Sequence, residues 1–341
     1  MVKSVISPAR AAASTPSLAV LIPCLNEAPA IAGVVAEYRR LLPEARIVVI
    51  DNASEDGTAA AALAAGAEVI PAPTRGKARA ILAAFEYVNE DLVLMVDGDG
   101  SYPAEGALLL LTAHTASGSD FVSGIRTPGL GVEDGGLPGD AGVFRPLHQL
   151  GTRTFETFLW WSFNYRTRDL FSGLRLMTRK FYKNVPILSR GFELEIELTI
   201  QAVDKGFSLH EVPVPFRSRA HGTASKLDTY RDGLRILRAL FVLLRDYRPL
   251  FFFTRIATGF LALGLLAGFL PVYEYFQTSL VGRFPLAILA ASLVSLSVLT
   301  ALAGLLMEGN LRHHRESYQV KLRNFTPPAP RPAPARQSEH E

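Results

Sequence analysis

The chain has 341 residues, 49% of them hydrophobic, and its mean hydropathy of +0.20 is high for a soluble protein. Lysines and arginines number 35 against 32 aspartates and glutamates, so the net charge is only +3, which argues against nucleic acid as a partner. The single cysteine, Cys24, excludes an internal disulfide framework and a cysteine-rich zinc site.

The N-terminal part of the chain alternates short apolar runs with helical stretches. Residues 1–17 lack the continuous apolar core of a signal peptide, and they predict a flexible N-terminus. Predicted strands cover 18–22, 46–50, 67–70 and 91–96, and predicted helices cover 29–42, 57–65 and 76–88. Short β-rich runs that alternate with helices are typical of a parallel sheet covered by helices on both faces.

Polar side chains follow three of these strands, at the point where each strand ends. They are Asn26 and Glu27 after the first strand, Asp51 and Asn52 after the second, and Asp97 and Asp99 after the fourth. Ligands of such sheets bind outside the carboxyl ends of the strands. One shared site therefore explains the pattern better than three unrelated turns.

The sequence VDGDGSYP places Asp97 and Asp99 one glycine apart, and two interpretations are open. Asp and Gly are common turn residues. Two carboxylates at a strand end also suit Mg²⁺ or Mn²⁺, because hard cations prefer oxygen ligands and Mg²⁺ typically takes one or two carboxylates plus substrate phosphates. A dinucleotide-binding enzyme is disfavoured, since the first strand is followed by PCLNEAP and not by G-x-G-x-x-G.

Eight motifs follow one another between residues 18 and 248. They are IPCLNE, VIDNASEDGT, RGKARA, VDGDGSYP, SGIR, DLFSGLR, GFELEIEL and EVPVPFRSRAHGTASKL. As an ordered set they resemble family 2 glycosyltransferases of the GT-A fold, in particular dolichol-phosphate mannose synthase and the bacterial polyprenyl-phosphate glycosyltransferases. The resemblance implies a Rossmann-like α/β domain that transfers a sugar from a nucleotide-diphosphate donor with Mg²⁺ or Mn²⁺.

The resemblance also implies roles for single residues. Nucleotide-sugar binding is implied for Pro23, Asn26, Glu27, Asp51, Asn52, Lys77 and Asp97, with Glu27 and Asp51 at the base and ribose. Metal binding is implied for Asp97 and Asp99. Catalytic roles are implied for Asp99, Arg126, Arg219, Lys226 and Glu197, of which the three cations face an acceptor phosphate and Glu197 orders the site from a helix beneath it.

Three further positions leave a question open. Several relatives have Asp where this chain has Asn52, so only Asp51 is assigned as acidic there. Some relatives have Gln as a metal ligand where this chain has Ser101, which leaves the role of that position undecided. Asp169 either orients an arginine or caps a turn.

Two uncharged apolar segments, 256–273 and 284–307, are close to the ~20 residues that a membrane-spanning helix needs. A buried helix pair in a large core is the alternative. Arginines flank both segments, whereas the loop between them holds only Arg283. The positive-inside rule therefore predicts a multi-pass protein of the inner (cytoplasmic) membrane, with the catalytic domain and the C-terminus in the cytoplasm.

The predicted organisation has five parts. They are a flexible segment at 1–17, the glycosyltransferase domain at 18–226, a juxtamembrane helix at 227–248, a transmembrane hairpin at 250–307 and a cytoplasmic tail at 308–341 that is disordered at its Pro-rich end. Residues 227–248 carry apolar and arginine positions at helical spacing, which is typical of an amphipathic helix on a membrane surface or of a core helix with a basic edge. The Gly-rich acidic segment 127–143 is either a mobile loop over the acceptor side or disordered.

The expected acceptor is a polyprenyl phosphate at the membrane. Processive relatives carry a Q-x-x-R-W motif that this chain lacks, and two spans are too few for a polymer channel. A phosphate monoester has a second pKa of about 6 and needs cations more than a strong base. The sequence thus predicts inverting transfer from a UDP- or GDP-sugar to the lipid, for a cell-envelope glycan or lipid modification.

Two other functions stay open at this point. One is a glycolipid synthase that uses a lipid hydroxyl as acceptor, and the other is a non-catalytic membrane scaffold that binds a nucleotide or a protein. The sugar is not identified by the sequence. Relatives include tetramers, so a homo-oligomer is an expectation by analogy.

Overall fold

In the computed structural model, the described residues are 16–128, 160, 165–187, 194–217, 241–242 and 244–325. They belong to two compact units. The first unit contains the described residues up to 128 together with 167–187 and 194–217, and the second contains the C-terminal helices.

Strands and helices alternate along the first unit. Its elements are β1 (Leu18–Cys24), α1 (Ala28–Leu41), β2 (Arg46–Asp51), α2 (Thr58–Ala64), β3 (Glu68–Pro71), α3 (Lys77–Tyr87), β4 (Leu92–Met95), α4 (Glu105–Ser117), β5 (Phe121–Pro128), β6 (Arg175–Thr178), α5 (Arg179–Tyr182), α6 (Leu194–Asp204) and β7 (Leu209–Phe216). The seven elements that the sequence predicts between residues 18 and 96 are all present, with bounds that agree within two residues.

The strands form one sheet in the order β3-β2-β1-β4-β6-β5-β7. The first four strands are parallel, as predicted. β6 runs antiparallel to both of its neighbours, β4 and β5, and β7 pairs in parallel with β5. The sheet is therefore mixed, with one reversed strand among those described.

The central strands are buried on both faces, which explains their continuous apolar sequences. Ile22 of β1, Val49 of β2 and Leu94 of β4 have no exposed surface. On one face they pack with apolar side chains of α1, among them Ile31 and Val35. Helices that cover a parallel sheet leave no strand face for water, so polar alternation is absent from these strands.

The register of the sheet brings the ends of β2, β1 and β4 together. Cys24 lies opposite Asp51, and Leu21 lies opposite Met95. The Asn52 N–H donates to the Cys24 carbonyl at 2.9 Å, which continues the β1–β2 ladder past the strand end. The residues that follow these strands therefore lie at one edge of the sheet.

The second unit contains two long helices, α7 (Pro249–Thr278) and α8 (Phe284–Arg323). Both are long and apolar enough to cross a membrane, and only 17% and 11% of their most apolar windows are buried. Such exposure is unlike the core helix of a soluble protein. The helices pack closely where Gly304 faces Phe253, and the Ser297 hydroxyl donates to the Ala257 carbonyl at 2.8 Å.

α8 is longer than the predicted span. It continues past residue 307 to Arg323, because the sequence offers no proline until Pro327. Most of the predicted juxtamembrane helix at 227–248 lies outside the described residues, as does the segment 127–143 from residue 129 onward.

Candidate active site

Four carboxylates lie near enough to Cys24, at the end of β1, for their charges to act on its thiol. The pKa of the Cys24 thiol is raised well above its usual value, first by burial and then by the negative charges of Glu27, Asp51, Asp97 and Asp99. Gly98, which lies between Asp97 and Asp99, packs tightly against Cys24, since a Cβ on Gly98 would overlap the Cys24 sulfur. The polar residues that follow three separate strands are thus neighbours, as the sequence predicts.

The loops after β1 and β2 are bound to each other by side chains. The Asn26 N–H donates to the Ser54 hydroxyl at 3.0 Å, and the Asn26 side-chain oxygen accepts from the Glu55 N–H at 2.8 Å. The Glu27 N–H donates to the Thr58 hydroxyl at 2.9 Å. Asn26 has a φ of 56°, a left-handed conformation that Asn tolerates better than most residues. Asn26 therefore shapes the loop that presents Glu27.

Asn52 holds the loop between β3 and α3. It is 3% exposed, its NH₂ group donates to the Ala72 and Thr74 carbonyls at 3.2 and 2.8 Å, and its oxygen accepts from the Gly76 N–H at 2.6 Å. The amide thus hydrogen-bonds within the protein on both sides. The hydrogen bond to the Gly76 N–H holds the backbone just before Lys77, and Asn52 thereby helps to position Lys77.

Lys77 lies between two carboxylates. Its ammonium group is 2.5 Å from Asp97 Oδ1 and 2.5 Å from Glu195 Oε1, and its side chain is 17% exposed. Burial lowers the pKa of Lys77, but the charges and hydrogen bonds of both carboxylates outweigh burial, so the pKa is raised above its usual value. Lys77 therefore carries a positive charge beside the predicted metal ligand Asp97.

Asp99 lies in a rigid turn. It is 5% exposed, and its Oδ1 accepts from the Ser101 hydroxyl at 2.6 Å and from the Ser101 N–H at 3.0 Å. The Arg217 side chain donates to the Gly100 carbonyl at 3.0 Å and is paired with Glu37 at 2.6 Å. Ser101 therefore orients Asp99, and Arg217 fastens the turn from the end of β7.

The turn before β6 forms a wall behind Asp97. The Gly173 N–H donates to the Tyr102 hydroxyl at 2.7 Å. A Cβ on Gly173 would lie 2.7 Å from Asp97 Cγ and closer still to Oδ2, so only glycine fits. Burial raises the pKa of Tyr102 to about 12, which keeps this hydroxyl protonated. Tyr102 thus fixes Gly173 against the carboxylate.

Arg126 on β5 forms a bidentate pair with Asp169. Its Nε and Nη2 donate to the two carboxylate oxygens at 2.7 and 2.8 Å, and its backbone N–H donates to Oδ2 at 3.0 Å. Burial lowers the pKa of Arg126, but the bond to Asp169 and the nearby charges, including that of Asp97, raise it overall. Asp169 therefore orients this arginine, which was one of its two expected roles.

Comparison with known proteins identifies the family. The family model described as Glycosyl transferase family 2 matches residues 19–185. Glycosyltransferase AglJ from Haloferax volcanii is 30% identical over 301 residues, which are 88% of this chain and 95% of that protein. The chain belongs to glycosyl transferase family 2. A dolichyl-phosphate hexose transferase from Haloferax volcanii is 28% identical to the present chain over 223 residues, which are 65% of this chain and 92% of that transferase.

Solved structures agree with this assignment at the level of the fold. Glucosyl-3-phosphoglycerate synthase from Mycobacterium tuberculosis matches with a TM-score of 0.54 and 20% identity, over 66% of this chain and 80% of that one. A structure of the same synthase with Mn²⁺, UDP-glucose and phosphoglyceric acid has a TM-score of 0.53, again with 20% identity, over 67% and 79% of the two chains. The predicted GT-A fold and the prediction of a hexosyltransferase are confirmed.

The donor atoms of this glycosyltransferase fit a divalent cation that shares its ligands with a substrate. Asp97 and Asp99 supply carboxylate oxygens at the end of β4, and no cluster of three or more metal-ligating side chains occurs among the residues that the structure describes. Mg²⁺ and Mn²⁺ take oxygen ligands, and Mg²⁺ usually keeps several waters and binds substrate phosphates. Two carboxylates are enough for a cation held in this way.

For two of the remaining predicted site residues the structure gives a position in the fold, and the other two lie outside the described residues. Pro23 lies in β1 opposite Ile50 and is partly buried. Glu197 is 5% exposed on α6, two residues from Glu195, and residues two apart on a helix do not face the same side. Arg219 and Lys226 lie outside the described residues. The predicted roles of all these site residues stay predictions.

Four residues with a clear place in this site were missed by sequence reasoning. They are Glu195, Gly173, Tyr102 and Arg175. Arg175 is fully buried, and its guanidinium donates to the Leu170 and Ser172 carbonyls and to the Thr199 hydroxyl at 2.8–2.9 Å. It therefore joins the turn before β6 to helix α6. The sequence signal for Gly173 was the dipeptide Ser-Gly before a strand.

Proposed function

We propose that this glycosyltransferase transfers a sugar from a UDP- or GDP-sugar to a polyprenyl phosphate, with inversion at the anomeric carbon. The observation that carries the proposal is the carboxylate pair Asp97 and Asp99 at the end of β4, with the Lys77 ammonium 2.5 Å from Asp97. Two carboxylates that can hold a divalent cation, together with the positively charged Lys77 at the same edge of the sheet, suit a bound diphosphate.

On the donor side, the leaving group is a nucleoside diphosphate. Asp97 and Asp99 would hold Mg²⁺ or Mn²⁺, which neutralises the charge that develops on the diphosphate. Lys77 adds a second positive charge next to Asp97. The synthase of similar fold crystallised with Mn²⁺ and UDP-glucose supports a donor of this class.

On the acceptor side, Arg126 is the described residue that suits a phosphate. Its Nε and Nη2 are occupied by Asp169, while its Nη1 has no hydrogen-bond partner among the described residues. Asp169 thus holds the guanidinium in one orientation and leaves it a donor for an anion. The predicted phosphate contacts of Arg219 and Lys226 belong to the same proposal.

The chemistry of this acceptor needs little help from a base. A phosphate monoester is largely ionised at neutral pH because its second pKa is about 6. One of its oxygens attacks the anomeric carbon, the bond from that carbon to the diphosphate breaks, and the nucleoside diphosphate leaves with the bonding electrons. In-line attack converts an α-linked donor into a β-linked lipid product.

The lipid nature of the acceptor rests on two further observations. Helices α7 and α8 are long and apolar enough to cross a membrane. A dolichyl-phosphate hexose transferase is among the relatives of this chain. The charges that flank the two helices in the sequence favour a catalytic domain on the cytoplasmic side of the inner membrane. The proposal also includes the five-part organisation predicted from the sequence, with its juxtamembrane helix, and a homo-oligomer.

The test is a transfer assay with the full chain in detergent. Undecaprenyl phosphate or dolichyl phosphate is offered with Mg²⁺ or Mn²⁺ and radiolabelled UDP- and GDP-sugars, and label in the lipid fraction is counted. Asp99→Asn is expected to abolish transfer. Asp120→Asn is the matched control, because Asp120 is a partly buried, ion-paired carboxylate just before β5, at the opposite end of the strand from the site.

The outcomes separate the alternatives. Lipid label that requires Asp99, and whose sugar is β-linked when the donor is α-linked, supports the proposal. Label on diacylglycerol or ceramide without a phosphate acceptor would point to a glycolipid synthase. Nucleotide binding with no transfer from any donor would point to a scaffold.

A further inference from the structure

Glu195 is a carboxylate of the site to which the proposed function gives no role. It lies on α6, is 4% exposed, and reaches the Lys77 ammonium at 2.5 Å. Asp97 reaches the same ammonium at the same distance. One cation is therefore shared equally by two carboxylates, only one of which is a predicted metal ligand.

The backbone around Glu195 is firmly held. Its carbonyl accepts from the Thr199 hydroxyl at 3.0 Å, and Thr199 in turn accepts from the fully buried guanidinium of Arg175 at 2.8 Å. All residues of α6 from Leu194 to Ala202 are buried. Glu195 thus projects from a rigid helix, whereas Lys77 has a long side chain with several rotatable bonds.

We propose that Glu195 is a positioning residue that keeps the Lys77 ammonium at the donor diphosphate when the carboxylate of Asp97 is engaged by the divalent cation. This inference rests on the proposed nucleotide-diphosphate donor. A cation at Asp97 repels Lys77, because like charges a few ångströms apart destabilise each other in a partly buried site. Glu195 supplies the attraction that Asp97 then no longer supplies.

The proposal predicts the sign of a binding change. Loss of the Glu195 charge alone, without any effect on Lys77, would make the site less negative and would strengthen the binding of an anionic nucleotide. Loss of a positioning contact would instead weaken it, because Lys77 is no longer held at the phosphates. A hydrogen bond to a charged group contributes enough free energy that its loss corresponds to roughly tenfold or more in affinity.

The experiment measures the affinity of UDP and of GDP by calorimetry at saturating Mn²⁺, with the full chain in detergent. The proteins compared are the wild type, Glu195→Gln, Lys77→Met and the double variant. Glu68→Gln is the control, because Glu68 forms an ion pair with Arg46 at the start of β3, at the opposite end of the strand from the site. Mn²⁺ affinity without nucleotide is measured in parallel by electron paramagnetic resonance.

The expected result has three parts. Glu195→Gln weakens the binding of the nucleotide that the wild type binds by roughly tenfold. The same substitution in the Lys77→Met background weakens it no further, since Glu195 acts through Lys77. Glu68→Gln leaves the affinity unchanged.

Other outcomes overturn the inference in distinguishable ways. Unchanged or tighter nucleotide binding by Glu195→Gln, from a wild type that binds UDP or GDP, refutes the positioning role and leaves the proposed function intact. Equal weakening in both backgrounds shows that Glu195 acts without Lys77. A wild type that binds Mn²⁺ but neither nucleotide refutes the proposed donor and this inference with it.

Discussion

Gly173 offers a sharp test of how the site is built. Gly173 is not one of the described glycines with a positive φ, so other residues could adopt its backbone conformation. The requirement for glycine at this position is therefore steric. Its N–H is held by the Tyr102 hydroxyl at 2.7 Å, and its α-carbon faces the carboxylate of Asp97. Gly173→Ala therefore adds one methyl group directly behind a predicted metal ligand.

The size of the effect follows from the distances. The new methyl carbon would lie 2.7 Å from Asp97 Cγ, whereas carbon atoms in contact are normally about 3.5–4.0 Å apart. The carboxylate must shift by about 1 Å, although its other oxygen is fixed by the 2.5 Å contact with Lys77. We expect a destabilisation of about 1–3 kcal/mol from overpacking. A displacement of about 1 Å at a reacting centre can cost roughly 100-fold in rate.

The assay combines transfer activity, Mn²⁺ affinity and thermal unfolding. Gly33→Ala is the matched control, since Gly33 lies inside α1 and a Cβ there meets nothing within 4 Å. That control should keep full activity and gain about 0.5–1 kcal/mol of stability from its helical position. A folded Gly173→Ala protein with wild-type rate and wild-type Mn²⁺ affinity would refute the geometry of Asp97 described above.

Three further predictions concern other parts of the protein. Asp169→Asn releases Arg126 from its bidentate pair, and we expect a higher KM for the lipid phosphate with an unchanged Kd for the donor nucleotide, measured by transfer kinetics and calorimetry. Asn52→Ala removes three hydrogen bonds of a buried side chain, and unfolding measurements should show a loss of about 2–3 kcal/mol at ~1 kcal/mol per bond. Gly304→Ala should lower the Tm in detergent because its Cβ would lie 2.6 Å from a side chain of the partner helix, whereas Gly309→Ala, with nothing within 4 Å on the same helix, should not.

The strand ends were predictable because they follow from a rule that needs no side-chain detail. Once β1, β2 and β4 are assigned as parallel neighbours, their carboxyl ends must share an edge of the sheet. The convergence of Glu27, Asp51, Asp97 and Asp99 is a consequence of that topology. The reversed strand β6 had no such signal, since the four residues RLMT carry no information on strand direction.

The choice between Glu195 and Glu197 could not be made from the sequence. The stretch LEIEL alternates apolar and charged residues with period two, which is the pattern of a half-buried strand. The structure makes it a helix that is buried all round, so both glutamates are buried at 4% and 5% exposure. The rotation of that helix about its axis decides which carboxylate contacts Lys77. The sequence has no apolar stripe at helical spacing from which this rotation could be predicted.

The motifs also do not distinguish residues that bind a substrate from residues that only position the substrate-binding residues. Asn26, Asn52 and Ser101 stand inside motifs at strand ends, and in the structure each uses its side chain to fix a loop. An amide or hydroxyl can bond equally well to a ligand or to the backbone, so its identity alone cannot say which. The carboxylates differ, because several negative charges gathered at one partly buried edge repel each other. Such a cluster implies cations, and Lys77 is one that the chain itself supplies.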